Sequence, residues 1–322
     1  MCKTQPKKPY FNGNQKHISF LTATMNAIRE SNIPLYSSKF SRKDYNQHQL
    51  LALLVFKEYL GVRYREIIEL VEVMDAIQIL LGITRIPHFT TLCKFSSRIS
   101  STALSQVSKQ ASSFSYRGRG RVSTIAIDST GFSTEYFSYY YSVRTEKTRK
   151  DFIKISLAVD TEKQTILGDK ITKSRQHDTK HAKPLLRNTS KKAECYVLDR
   201  GYDSEQIHLQ IRTELQAKSI IPIRNWNADY VKGEFRKEMS DNFDRIRYGQ
   251  RNKVETVFSV IKRRFGDQIK SRRFRSQVKE LKLKCIRLIL EKTEDFYYGL
   301  GFPMKIEYEG SIPQVKPKKI LT

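Results

Sequence analysis

Three acids carry the chemistry that this sequence offers. Asp128 closes the apolar run of IAIDSTG, Asp199 closes that of YVLDRGYDS, and Glu255 is the single acid of RYGQRNKVETVFSVIKRRFG, residues 247–266. Strand C-termini are where α/β sheets place functional groups. In the third stretch Tyr248, Arg251, Glu255 and Lys262 are spaced by three, four and seven residues. At ~3.6 residues per turn these four fall on one stripe of a helix. Val254, Val257, Phe258, Ile261 and Phe265 make an adjacent apolar stripe that can pack on a sheet.

Carboxylates that converge repel one another unless a cation holds them. A hard divalent cation suits three oxygen donors, so the expected metal is Mg2+, with Mn2+ able to substitute. Two such ions ~3.5–4 Å apart can activate a water or a 3′-hydroxyl and stabilise the leaving oxygen of an in-line phosphoryl displacement. Arg251 and Lys262 beside the acid can bind phosphate oxygens, and Tyr248 can stack on a base or sugar. Each acid also has a plainer reading. Arg251 and Glu255 at i, i+4 make an ordinary helix ion pair worth a few tenths of a kcal/mol. An acid after a strand is commonly a turn or cap residue. The joint occurrence, in the order Asp, Asp, Glu on matching elements, favours one shared site.

The elements that must position these acids follow from the pattern. Residues 1 to about 40 read as polar and irregular, and Gln47 to about Ser113 as helical, with a break at Pro87 before a helix at 88–100. SYRGRGRVS is a linker whose Arg117, Arg119 and Arg121, together with the 88–100 helix, are candidates for reading DNA ends. Beyond it, 122–128, 137–143, 152–160, 165–173, 194–199 and 219–223 read as strands, 177–188 and 203–217 as helices, and two helices close the chain. A strand meander followed by alternating helix and strand makes an α/β sheet with crossover helices. The expected division is 1–115, a helical and DNA-binding domain; 122–295, the catalytic domain; and 296–322, a tail.

Charge narrows the partner. The 322 residues carry 59 Lys and Arg against 33 Asp and Glu, a net charge of +26. Such an excess calls for a polyanion, first of all nucleic acid, because neutralised phosphates release counterions. KRRFGDQIKSRRFR (262–275), with Arg263, Arg264, Arg272 and Arg273 interleaved with Phe265 and Phe274, reads as a track for a DNA backbone. Trp226, the only tryptophan, is either a half-buried loop anchor or a stacking platform for an extruded base. Asp178 of the His177–Asp178 pair lies near the site or caps a helix. The tyrosines 136 and 139–141 read as sheet packing, since no Arg and His set accompanies them as a tyrosine nucleophile would need. No apolar run approaches the ~18 residues of a membrane span, and no signal-peptide pattern opens the chain. The four cysteines, Cys2, Cys93, Cys195 and Cys285, are far apart, which argues against a zinc site or a disulfide framework and for an intracellular protein.

The three acid-bearing blocks resemble those of bacterial and archaeal insertion-sequence transposases with a DDE catalytic domain. The helix fits that family's signature, Y-x2-R-x3-E-x6-K, at Tyr248, Arg251, Glu255 and Lys262, and RKDFIKISLAVD (149–160) and HDTKHAKPLL (177–186) look like its intervening segments. The resemblance spans about 122–290. It implies a ribonuclease H-like mixed sheet flanked by helices, with Asp128, Asp199 and Glu255 as the catalytic, metal-binding triad that holds two Mg2+ ions. It implies Tyr248, Arg251 and Lys262 as contacts to DNA. The implied activity is cleavage at element ends and strand transfer into target double-stranded DNA, by a homodimer on DNA that works at the prokaryotic nucleoid. The short interval between Asp199 and Glu255 leaves no room for a large inserted domain. One departure is KCIRLILEK, which lacks the Asn that relatives often carry in the last helix. A metal-dependent nuclease of the same fold, or a non-cutting DNA-binding descendant, are the rival readings.

Overall fold

The computed structural model describes residues 16–116, 120–134, 152–173, 176–224 and 230–299. A five-stranded sheet in the order β3-β2-β1-β4-β5 forms the frame of the carboxyl-terminal part. Its strands are β1 (Arg121–Ser133), β2 (Phe152–Asp160), β3 (Ile166–Lys173), β4 (Lys192–Leu198) and β5 (Lys218–Ile220). The first three make an antiparallel meander, and β4 and β5 join in parallel on the other side of β1. Parallel strands need crossovers, and helices provide them. The crossover into β4 is helix Thr179–Arg187, and that into β5 is Glu205–Leu209 continued by a π-helical turn over Gln210–Glu214. This is the ribonuclease H-like, helix-flanked mixed sheet that the resemblance implies.

Alternation along β1 sends its side chains into two cores. Ile125 and Ile127 pack with Leu185, Tyr202 and Ile207 under the crossover helices. Ala126 and Phe132 face the other way, into a core shared with Val257 and Ile286 of the two last helices and with Phe20, Leu53 and Leu104 of the amino-terminal helices. The amino-terminal helices therefore share one continuous core with one face of the sheet. The last helix, Phe274–Gly299, packs on helices Lys16–Arg29, Gln47–Leu60 and Ser101–Phe114 and on β3. Its buried Lys282 ties three elements together, ion-pairing with Asp169 of β3 and donating to Ser105 Oγ at 2.8 Å.

Several sequence expectations need correcting. Residues 16–29, read as irregular, form a helix. Nine of its residues, on all of its faces, are buried, so it has no amphipathic stripe to betray it. Its Thr22 and Thr24 hydroxyls donate to the carbonyls of Ile18 and Phe20, which lets two polar side chains sit inside the core. The stretch up to 246, read as polar loop, contains helix Glu234–Asp241. The expected 203–217 helix begins only at Glu205, and the 219–223 strand is reduced to Lys218–Ile220. The expected strand 137–143, its tyrosines, Trp226, Arg117 and Arg119 lie outside the described residues. Arg121, which is exposed, donates to the carbonyls of Ala193, Leu215 and Gln216 and so ties β1 to its neighbours. Among the described residues Cys93, Cys195 and Cys285 are free thiols, and no helix is long and apolar enough to cross a membrane.

Candidate active site

Register brings the two aspartates together. In the parallel pairing of β1 with β4, Ile127 stands opposite Leu198, so the next residue on each chain, Asp128 and Asp199, emerge side by side where that pairing stops. β1 itself does not stop there. It runs on to Ser133, held by β2 through pairs such as Asp128 with Leu157 and Ser133 with Phe152. The strand read as ending at Asp128 is therefore longer than expected: Gly131 is a strand residue opposite Lys154. A Cβ at Gly131 would meet the Phe152 ring at 2.9 Å, which accounts for the glycine. Asp199 instead opens a 3-10 turn, Arg200–Tyr202, and accepts the Gly201 N–H at 3.2 Å.

Glu255 arrives from helix Asn252–Phe265, whose Val254, Val257, Phe258 and Ile261 are buried as the apolar stripe predicts. The helix is entered through a short helix Arg245–Tyr248 and a 3-10 turn Gly249–Arg251. Arg251 stands at the centre of the constellation. Its Nη1 lies 2.7 Å from Asp128 Oδ2 and 3.9 Å from Asp199 Oδ1, and its Nη2 lies 2.7 Å from Glu255 Oε1. Lys262, two turns beyond Glu255, donates to Thr130 Oγ1 at 2.8 Å, two residues past Asp128 on β1, and lies over the Phe132 ring. Tyr248 is half-buried, packed on Phe243 and next to the Arg251 guanidinium. Arg263, Arg272 and Arg273 are exposed, whereas Arg264 pairs with Glu291 of the last helix at 2.9 Å.

A fourth acid belongs to this neighbourhood. Asp178 precedes helix Thr179–Arg187 but makes no side-chain cap. Its Oδ1 accepts from Ser129 Oγ at 3.1 Å and pairs with Lys154 Nζ at 2.5 Å. Of the two readings of this residue, the place beside the site holds. A Cβ at Gly201 would lie 3.2 Å from Asp178 Oδ2 and 3.6 Å from Asp199 Oδ2, so the bare glycine leaves a gap between the two carboxylates. Lys154 and Ser129 were not singled out by the sequence. Only the neighbouring acid His177–Asp178 hinted at this cluster, because the lysine lies on a different strand.

The charges respond unequally. Burial pushes the Asp128 carboxyl up to about 6, helped by Asp199 and Glu255 and opposed by the Ser129 N–H and Arg251. Burial also works against the Arg251 charge, yet Tyr248 and the three carboxylates carry that guanidinium above its ordinary value. One cation leans on three anions, while each anion has only a share of one cation. Among the described residues no three acid, His or Cys side chains close on a point as a finished metal cage would. The donor type is nonetheless the one a hard divalent cation takes. The set is all carboxylate oxygen, gathered around one positive centre, and open where Gly201 lacks a side chain.

Comparison with known proteins agrees with the motif. The model of a transposase DDE domain matches residues 120–290. No curated protein matches the chain. Among solved structures, the chain is similar to a piggyBac transposase synaptic complex with hairpin DNA, seen by cryo-electron microscopy. The TM-score is 0.47 at 10% identity, covering 91% of this chain and 75% of that one.

Proposed function

We propose a specific reaction for a chain that belongs to the family of transposase DDE domains: it cuts DNA at the ends of an insertion sequence and joins those ends to target DNA. The observation that carries this reading is the meeting of Asp128, Asp199 and Glu255, from three separate elements, on one guanidinium. Asp128, Asp199 and Glu255 would hold the divalent ions. When bound, two Mg2+ ions, or Mn2+ in their place, supply a Lewis acid for the phosphate and lower the pKa of the attacking water. In the first step water attacks the phosphorus at the element end, the P–O3′ bond breaks, and the 3′-oxygen leaves as a hydroxyl. That hydroxyl then attacks a target phosphodiester, one P–O bond forming as another breaks, with no covalent link to the protein.

The other side chains bind and orient. Lys262, fixed against β1 by Thr130, holds a phosphate oxygen close to Asp128. Tyr248 and Arg251 contact the end to be cut, and Arg263, Arg272 and Arg273, all exposed, track the backbone with Arg264 at their margin. Trp226 joins them as a stacking residue. The amino-terminal helices, 1–115, bind DNA, 122–295 carries catalysis, and 296–322 is a tail. Two ends are joined in one event, so the working form is a homodimer on DNA holding terminal inverted repeats and target, placed with the nucleoid.

The test uses labelled duplexes taken from the inverted repeats that flank the reading frame, with a supercoiled plasmid as target. The wild-type protein should cut the end and yield joined plasmid, while Glu255→Gln should bind the duplex at low salt and cut nothing. Unchanged cleavage by that variant refutes the reading. Cleavage without joined product by the wild type would make the protein a nuclease of the same fold.

A further inference from the structure

We propose that Arg251 is an internal counterion that holds the three acids together until a DNA phosphate takes it over, so that the DNA end and the divalent ions bind cooperatively. The proposal rests on the catalytic reading above and adds to it an order of events. Among the described residues Arg251 alone pairs with all three carboxylates of the triad. A divalent cation seeking the same three oxygens meets a positive charge already among them, and like charges at such distances exclude one another.

The geometry is one of exchange. The side chains of Asp199 and Glu255 are 41% and 53% exposed, whereas those of Arg251 and Asp128 are 18% and 15% exposed. The acids thus form an open rim and the arginine closes the middle. Arg251 holds each acid through a single nitrogen and makes no two-pronged pair, and its Nε is buried with no hydrogen-bond partner. A guanidinium bound this way has capacity left for an oxyanion that offers two oxygens, and phosphate is such an anion. The backbone allows the move. Arg251 ends a 3-10 turn that interrupts the helical run between Tyr248 and Asn252, a feature often found at hinges. A Cβ added at Gly249, which begins that turn, would meet nothing within 4 Å. Once the guanidinium leaves, three negative charges remain uncompensated, and these favour two divalent ions more strongly than the neutralised set does. By linkage, whatever factor DNA adds to metal affinity, metal adds to DNA affinity.

The experiment counts bound Mn2+ by the EPR signal of the free ion, on the full chain, with and without a pre-cut end duplex that cannot be hydrolysed further. Wild type should bind Mn2+ about tenfold more tightly when the duplex is present. Arg251→Gln should bind Mn2+ about tenfold more tightly than wild type without DNA and gain little more from the duplex. Arg251→Lys, which keeps the charge but loses the fork, should fall between the two and serves if the glutamine variant does not fold. Mn2+ affinity that is unchanged or weaker in both variants overturns the exchange while leaving the metal site standing. So does a gain from DNA that persists in both. A wild-type protein that binds no Mn2+ even with the duplex ends the catalytic reading itself, and the exchange with it.

Discussion

Among the described residues two arginines meet aspartates at 2.7 Å, and the two meetings differ in kind. Arg236 gives Nε to Asp203 Oδ1 at 2.7 Å and Nη2 to Oδ2 at 2.9 Å, and the Arg224 N–H adds a third bond at 3.0 Å. The Asp203 side chain is 1% exposed. The neighbouring Glu205 accepts the N–H groups of Phe235 and Arg236, so the start of helix Glu234–Asp241 is clamped to the segment after β4. Hydrogen bonding to Asp203 raises the Arg236 pKa, ahead of the burial that opposes it. Arg251 is the reverse: burial opposes its charge first, and its bonds are divided among three acids. A two-pronged pair with its oxygens filled is a structural fastening. A guanidinium spread over three acids with a nitrogen to spare is a placeholder.

Each place also draws an aspartate from YVLDRGYDS, Asp199 at the site and Asp203 at the clamp, four residues apart, which makes the contrast easy to break. Asp199→Asn should cut strand cleavage by about 10³-fold, the scale of losing one preorganised electrostatic partner of a transition state. Its effect on unfolding should stay within about 0.5 kcal/mol, since Asp199 is largely a surface group. Labelled-end cleavage and urea titration measure the two. A comparable loss of stability would mean that the site acids hold the fold, and the distinction above would fail.

Asp203→Asn should do the opposite. Removing one partner of a buried ion pair costs about 3–5 kcal/mol, and Arg236 keeps a quarter of its surface in water, so about 3 kcal/mol is expected. Urea titration should show it as a lower midpoint at constant slope. The Mn2+ affinity of the surviving folded protein should be unchanged.

Acid should loosen the clamped side. His208, beside Arg212 and Phe235, is wholly buried, with Nδ1 on Ser219 Oγ at 2.8 Å and Nε2 without a partner. Burial drives its pKa down to about 4. The unfolded chain takes up this proton below pH ~6.5 and the folded chain does not, so the stabilisation is complete above ~6.5 and is lost as pH falls toward 4. The loss amounts to about 3 kcal/mol. Unfolding titrations at pH 7 and pH 4.5 should differ by much of this amount in wild type and by clearly less in His208→Gln.

What the sequence made legible was local. The stripe of Tyr248, Arg251, Glu255 and Lys262 beside Val254, Val257, Phe258 and Ile261 needs only the helical period, and it stands on the helix as read. What it hid was set by partners far along the chain. DSTGFS contains turn residues, yet it is strand because β2 pairs with it throughout. Arg251 looks like a phosphate ligand on its own helix, and only folding brings Asp128, 123 residues away, to its Nη1. Asp203 read as the start of a helix, and its partner Arg236 is 33 residues on. Helix Lys16–Arg29 was missed because a helix buried on every side has no period to detect.

The smallest effect separates two lysine-and-arginine neighbours on the same helix. Lys262 rests on Thr130, beside the acids, and among the described residues pairs with no carboxylate, whereas Arg264 pairs with Glu291, which Arg287 also holds. A cation that binds phosphate contributes about one unit to the salt dependence of DNA affinity. Lys262→Ala should therefore weaken binding of the end duplex roughly tenfold and lower the slope of log affinity against log salt by about one. Arg264→Ala should change that slope by less, because in the free protein its charge already has a partner to lose. Fluorescence anisotropy across a salt series reads both values. Equal slopes for the two variants would mean that the Glu291 pair gives way on binding, and that the whole basic run, not Lys262 alone, lies along the DNA.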